Sequence, residues 1–383
     1  MSQQDSLQHS LARHTQALKD KITEKIAQTG DISFAEYMNI CLYQPGLGYY
    51  SSGMHKFGKE GDFITSPELG DLFARTFAMQ FQQILSQLVK PVILELGAGT
   101  GQFCFDCLTE LDNLNSLPEK YYILEISADL KERQKQKINS LPDSIRQRVE
   151  WISQPLQEKY EGIIFANEVI DALAVEVFKY SNNQYLQMRV DYEENFKTKW
   201  SEFPQGLLKQ LKAKELNLPE NYVSEFVPNL SAWLQSITQN LQKGVVLFVD
   251  YGYERDAYYH SQRNQGTLVC HHRHKSNFEY FENIGLQDIT SFVDFTAVAE
   301  AADDCGLDVE GYTTQACFLM SLGIQNLLGD SDDNYSKYYE KTTELKKLTL
   351  PSEMGEKFKV IGLSRNFNQE FSGFAMMNLL HLL

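Results

Sequence analysis

The chain has 383 residues, with 35 basic and 51 acidic side chains and a net charge of −16. That length holds two or more domains and buries a large core without disulfide staples. Its 23 Phe, 20 Tyr and 3 Trp rule out wholesale disorder, no apolar run nears the ~18 residues of a membrane-spanning helix, and the acidity argues against a nucleic-acid binder, which needs a basic face.

In chain order, residues 18–27 and 34–42 carry helical patterns, followed by the turn-rich Gln44-Pro45-Gly46-Leu47-Gly48-Tyr49-Tyr50. A second irregular stretch, Gly61-Asp62-Phe63-Ile64-Thr65-Ser66-Pro67-Glu68, leads into an apolar helix over 69–88. Beyond it, apolar runs at 92–96, 121–126, 149–152, 162–166 and 245–249 alternate with helical patterns at 102–111, 129–141 and 230–241. Continuous apolar runs mark parallel strands buried on both faces. Their alternation with helices predicts an α/β protein with a Rossmann-like doubly wound sheet. Two long insertions interrupt it. Residues 175–227 open with a hairpin pattern, 175–180 and 185–190 around Ser181-Asn182-Asn183, and continue into a polar helix near 207–216; residues 253–295 are polar. Connections of this length point to function. The tail predicts a helix over 315–328, an acidic turn at 330–333 and strands at 358–363 and 373–377. The domain reading is an N-terminal helical cap with a closing loop over 1–90 and a cofactor-binding core over 91–174 and 228–252. An inserted substrate or partner domain spans 175–227 and 253–300, and a C-terminal part, 301–383, completes the sheet.

The sharpest local signal is Val92-Ile93-Leu94-Glu95-Leu96-Gly97-Ala98-Gly99-Thr100-Gly101, a strand running through three glycines into a helix. Glycine admits positive φ and close approach of a ligand to the backbone, and the helix start presents unpaired N–H groups. The dinucleotide fingerprint spaces its glycines G-x-G-x-x-G. Here they run G-x-G-x-G with Glu95 two positions ahead of the first, the pattern of motif I in class I S-adenosylmethionine (SAM) methyltransferases. A second strand ends in Glu125, where a carboxylate can accept ribose hydroxyls. Asn167, Glu168 and Asp171 close the fourth run and Asp250-Tyr251 the fifth; strand ends of an open sheet face the ligand crevice. Such acceptors suit a multi-donor cation such as a guanidinium. Cys104-x-x-Cys107 reads as two small buried cysteines of the following helix, and His271-His272-Arg273-His274 as a substrate-facing loop; no metal site is expected.

These segments together resemble the MidA-like SAM-dependent methyltransferases, whose mitochondrial members assist respiratory complex I assembly. Besides Glu95 to Gly101, the resemblance is carried by Pro45 to Tyr50, Gly61 to Glu68, Asn167 to Val175, Asp250-Tyr251-Gly252 and Gly266-Thr267-Leu268. Gln287-Asp288-Ile289-Thr290 with Val293-Asp294-Phe295, Thr314-Gln315 with Phe318-Leu319, and Met354-Gly355-Glu356 with Phe358-Lys359-Val360 continue it in family order. Departures are Ala174, where the family usually has proline, and Gly70-Asp71.

The resemblance implies a class I methyltransferase sheet with an added substrate domain, and a stretch including Asp62, Thr65 and Ser66 that closes over SAM. It also implies transfer to a protein arginine. On that reading Gly97, Gly99 and Gly101 admit the cofactor, Glu125 holds the ribose, and Glu95 orients the loop or meets the amino-acid end. Asn167 lies beside the methyl group, and Glu168, Asp171 and Asp250 are alternatives for orienting the nucleophile and taking its charge. A SAM-binding assembly chaperone without transfer and a small-molecule methyltransferase are the competing readings. The excess acidity falls in residues 92–171 (net −6) and 251–383 (net −8), with −1 in each remaining segment. It favours a protein partner with a basic segment; a homodimer stays open. Six dispersed cysteines suit a reducing compartment. The first twenty residues show neither a secretory apolar region nor an acid-free, Arg-rich transit pattern, so the expected location is the cytoplasm of a bacterium.

Overall fold

The computed structural model describes residues 3–52, 65–273, 275–329 and 335–383. The chain passes repeatedly between two compact units: one comprises residues 1–63, 170–229 and 255–292, the other residues 64–169, 230–254 and 293–383.

The second unit carries the main sheet. Its strands are β1 (Val92–Leu96), β2 (Lys120–Leu124), β3 (Val149–Ile152), β4 (Tyr160–Asn167), β5 (Leu241–Tyr253), β6 (Asp308–Thr314) and β7 (Phe358–Arg365). They lie in the spatial order 3-2-1-4-5-7-6. β1 to β5 are mutually parallel, and β7 runs antiparallel to both β5 and β6. The two-residue strand Val293–Asp294 adds a parallel pairing at the far end of β5. The fold is therefore α/β with a mixed, mostly parallel sheet, doubly wound with its reversal between β1 and β4, where ligands of such sheets bind. Its continuous apolar runs follow from burial on both faces: every residue of β1 is buried. Helices Leu72–Leu85 and Gln102–Asn113 cover the sheet through an aromatic core. Phe103 stacks on Phe165 at 4.1 Å, and Phe77 lies 5.2 Å from Phe165 and 4.9 Å from Phe318.

The expected strands at 92–96, 149–152, 162–166, 245–249 and 358–363 fall within β1, β3, β4, β5 and β7. Several expectations shift. The helix expected over 230–241 stops at Thr238, because Leu241 already opens β5. The helix over 315–328 breaks into Gln315–Ser321 and the 3-10 turn Ile324–Leu327 at Gly323, whose φ is 79°. The strand at 373–377 is replaced by a 3-10 turn, Ser372–Phe374. Both edges of β7 are already taken by β5 and β6, so that segment packs Phe374 5.2 Å from the Phe318 ring instead. The acidic turn at 330–333 lies outside the described residues.

The first unit holds an antiparallel sheet ordered Ile32–Ser33, Gln184–Tyr192, Glu176–Ser181, Tyr222–Phe226, with Phe196–Glu202 also paired to Gln184–Tyr192. Asn182 and Asn183 turn the predicted hairpin with φ of 51° and 61°, the left-handed pair of a two-residue loop. Ser33 caps helix Phe34–Tyr43 in a capping box with Glu36. That helix packs Phe34, Tyr37, Met38 and Cys41 on Val177 and Val190. A small sheet of Val269–His272, Lys275–Asn277 and Asp288–Thr290 completes the unit.

Buried carboxylates of the second unit, Glu95 and Glu344 foremost, make its stability pH-dependent. Burial pushes Glu95 up to about 8, opposed by a hydrogen bond from Tyr121 and helped by the charge of Glu125. Burial likewise pushes Glu344 up to about 7, against the backbone hydrogen bond from Leu72. Between an ordinary carboxylate value near 4.5 and these raised values, the folded chain keeps protons that the unfolded chain has released. Stability therefore falls as pH rises through that window, by up to about 1.4 kcal/mol per pH unit for each group. Urea denaturation between pH 5 and 8 should show a midpoint falling with pH and a shallower fall in Glu95→Gln. A fall equally steep in that variant would contradict the assignment.

Candidate functional site

The loop after β1 is shaped by its glycines. Gly97, Gly99 and Gly101 all sit in the left-handed region, with φ of 63°, 53° and 82°, where an L side chain is strained. A Cβ at Gly97 would come 3.1 Å from Val169 Cγ2 and one at Gly101 would come 3.3 Å from Gln134, whereas one at Gly99 would meet nothing within 4 Å. Gly99 thus faces open space, and Gly101 caps helix Gln102–Asn113 without a side chain. Cys104 and Cys107 are fully buried on that helix, as expected.

Behind the loop, Glu95 is buried and accepts a hydrogen bond from the Tyr121 hydroxyl at 2.8 Å. Raised as it is toward 8, it is mostly protonated at neutral pH. Glu125, at the end of β2, is also buried; its two oxygens accept from the Ser127 N–H at 2.8 Å and from Gln134 Nε2 at 2.9 Å. Gln134 Nε2 also donates to the Gly99 carbonyl at 2.9 Å, and Gln134 Oε1 accepts from the Trp151 indole at 2.9 Å. One buried glutamine thus ties β2, β3 and the glycine loop together.

Beside β1, β4 is in register with Leu96 opposite Ala166, so Asn167 stands next to the start of the loop. Asn167 Nδ2 donates to Glu168 Oε1 at 3.0 Å. Asn167 Oδ1 is buried with no hydrogen-bond partner among the described residues. Glu168 holds a φ of 54°, and its N–H donates to the Val249 carbonyl at 2.9 Å. A non-glycine residue held there stores strain of order 1–3 kcal/mol, which clusters at functional sites. Asp250, on β5, is buried and accepts from the Tyr251 N–H at 2.9 Å.

Asp62 lies outside the described residues. Thr65 precedes the 3-10 turn Ser66–Glu68. Ser66 is fully buried, with its hydroxyl on Gln315 Oε1 at 3.3 Å. The Thr100 hydroxyl, between the second and third glycines, donates to Glu68 Oε1. This part of the expected closing stretch is therefore fastened to the glycine loop through Glu68.

Asp171 belongs to the first unit. It is buried, as is Asp288, whose Oδ2 accepts from the Tyr50 hydroxyl at 2.7 Å. Tyr50 stacks on Tyr43 with centroids 5.6 Å apart, and Tyr43 donates to the Ala172 carbonyl at 2.9 Å. Burial, then the charges of Asp288 and Asp171, push the pKa of both hydroxyls above the ordinary tyrosine value, so both remain donors.

Sequence reading did not find Gln134, Ile126 or the Thr100–Glu68 bond. The apolar run 121–126 predicts a strand through Ile126; β2 stops at Leu124 and leaves Ile126 59% exposed beside buried Glu125. An apolar residue directly after a strand-end acid was the available signal. Gln134 gave none, being one polar residue in a charged helix. A left-handed glycine facing open space, an exposed apolar side chain and an orphaned buried acceptor fit a nucleoside cofactor carrying an amino group.

Comparison with known proteins agrees. Residues 72–313 match the family described as "Putative S-adenosyl-L-methionine-dependent methyltransferase". The chain is 27% identical to "Protein arginine methyltransferase NDUFAF7 homolog, mitochondrial" of Caenorhabditis elegans, over 91% of this chain and 86% of that protein. It is 25% identical to the Xenopus laevis "Protein arginine methyltransferase NDUFAF7, mitochondrial", over 90% and 83%. A Burkholderia thailandensis protein whose crystal structure is bound to S-adenosyl-homocysteine (SAH) superposes with a TM-score of 0.93 at 34% identity, covering 98% of each chain. The left-handed glycine loop, the sheet order and these matches agree: the chain belongs to this MidA-like family of SAM-dependent methyltransferases.

Proposed function

We propose that the chain transfers the methyl group of SAM to an arginine side chain in a basic segment of a protein, in the cytoplasm of a bacterium. The observation that carries the reading is the Asn167–Glu168 corner. A buried orphan acceptor and a strained carboxylate-bearing residue stand together beside the start of the glycine loop. The arginine relatives and the acidity of residues 92–171 support the choice of target.

The cofactor supplies a methyl group on a positively charged sulfur. The residues do the rest. Gly97, Gly99 and Gly101 let the nucleoside lie against the backbone, and Glu125 accepts from the ribose. Ile126 packs on the base, and Asn167 Oδ1 accepts from the amino group. Protonated Glu95, held by Tyr121, orients the loop without adding charge. Asp62, Thr65 and Ser66 belong to the stretch that closes over the cofactor. An arginine stays protonated in water, so a carboxylate must orient it and stabilise the proton as it leaves. Glu168 leads for that role, with Asp250 at the next strand end and Asp171, three residues along the chain, as further candidates. Asp171 shares its surroundings with Asp288, Tyr43 and Tyr50, which suits a multi-donor cation. The unit containing Asp171 gathers most of both predicted insertions and is the part proposed to recognise the substrate.

Incubation with methyl-labelled SAM and lysate of a strain lacking the gene should place label in protein as methylarginine. Label only in small molecules, or SAH binding without transfer, would overturn the reading. Gly99→Asp should fold, because aspartate tolerates the left-handed region better than most residues. It should lose SAH affinity by about 100-fold or more on calorimetry, by filling the space that the backbone leaves open. Glu168→Gln should keep SAH affinity and lose about 100-fold or more in transfer rate; full activity would remove Glu168 from the mechanism.

A further inference from the structure

We infer that Gln315 and Glu344, in the C-terminal part of the chain, are positioning residues for cofactor binding: they hold residues 66–72 where Glu68 can fasten the glycine loop.

Gln315 is fully buried and uses both ends of its amide. Its Oε1 accepts from Ser66 Oγ at 3.3 Å, and its Nε2 donates to the Leu348 carbonyl at 3.0 Å. Leu348 and Glu344 lie four residues apart, one turn, on helix Tyr335–Thr349, and both are buried. Glu344 Oε1 accepts from the Leu72 N–H at 2.7 Å. That N–H opens helix Leu72–Leu85, whose own N-cap, Asp71, makes no side-chain capping bond. A carboxylate from a distant element thus does the capping. A Cβ at Gly70 would overlap that carboxylate, which gives the departure at Gly70 a local reason. Between these two attachments lies Glu68, which accepts from Thr100 within the glycine loop.

The Thr314-Gln315 and Met354-Gly355 segments, which carry family resemblance but no part of the methyl-transfer chemistry, converge here; Met354 sulfur lies 3.8 Å from Ser66 Oγ. The route from helix Tyr335–Thr349 to the cofactor loop is continuous: Leu348 to Gln315 to Ser66, Glu344 to Leu72, and Glu68 to Thr100. All of these residues belong to one unit. None of Gln315, Leu348, Glu344 or Leu72 needs to touch the cofactor, so their effect passes through Glu68.

The inference rests on the glycine loop being the cofactor site, which Gly99→Asp tests separately. Calorimetric titration of the full chain with SAH tests the inference itself. Gln315→Leu and Thr100→Val should each weaken SAH binding about 5-fold, the loss of roughly one hydrogen bond. Because both act through one segment, the double variant should be no more than about 2-fold weaker than the weaker single, not 25-fold. Glu344→Gln, which keeps an acceptor for the Leu72 N–H, should bind within about 2-fold of the parent, while Glu344→Leu should bind about 5-fold more weakly. Ser66→Ala replaces any leucine variant that does not fold. Unchanged SAH affinity in the folded variants, or multiplicative losses in the double, would overturn the inference.

Discussion

The site depends on three residues in one loop having no side chain. A strand that ends buried must hand its chain to a helix within five residues, and here it does so through three left-handed glycines. Two of the missing side chains leave room for protein: Val169 comes up to Gly97, and Gln134 to Gly101. The third leaves room for something else. Gln134 ties the loop to Glu125 and Trp151, so the conformation of Gly99 is coupled to the ends of two neighbouring strands.

The electrostatics follow from the same burial. Glu95 sits behind the loop with a tyrosine donor and a raised pKa, so at neutral pH it is largely uncharged. The other carboxylates of this region are Glu125, Glu168 just beyond β4, and Asp250 on β5. On the proposed reading the work is divided: Glu95 holds backbone behind the loop, and the other carboxylates meet a polar, partly cationic ligand.

Much of this was legible in the sequence because it rests on patterns that burial enforces. Parallel strands buried on both faces read as unbroken apolar runs, so β1, β3, β4 and β5 could be placed. The hairpin at Asn182-Asn183 was legible because its turn demands residues that tolerate positive φ. β6 was not, because Asp308-Val309-Glu310-Gly311-Tyr312-Thr313-Thr314 is an edge strand whose polar residues hide the run. Gln134 and Glu344, and the role of Gln315 within a segment that carried the family resemblance, were hidden for a different reason. Each is a polar residue on a helix, and its partners lie on other elements, so no spacing announces it. The juxtaposition of Asp171, Tyr50 and Asp288 was equally hidden, although all three stand in segments that carried the family resemblance.

A crystal structure of the chain with SAH tests the central claim most directly. The account predicts the nucleoside against Gly97 to Gly101, the ribose on Glu125, the base against Ile126 and the amino group on Asn167 Oδ1. SAH bound elsewhere, or bound at the loop with Asn167 Oδ1 still lacking a donor, would contradict it.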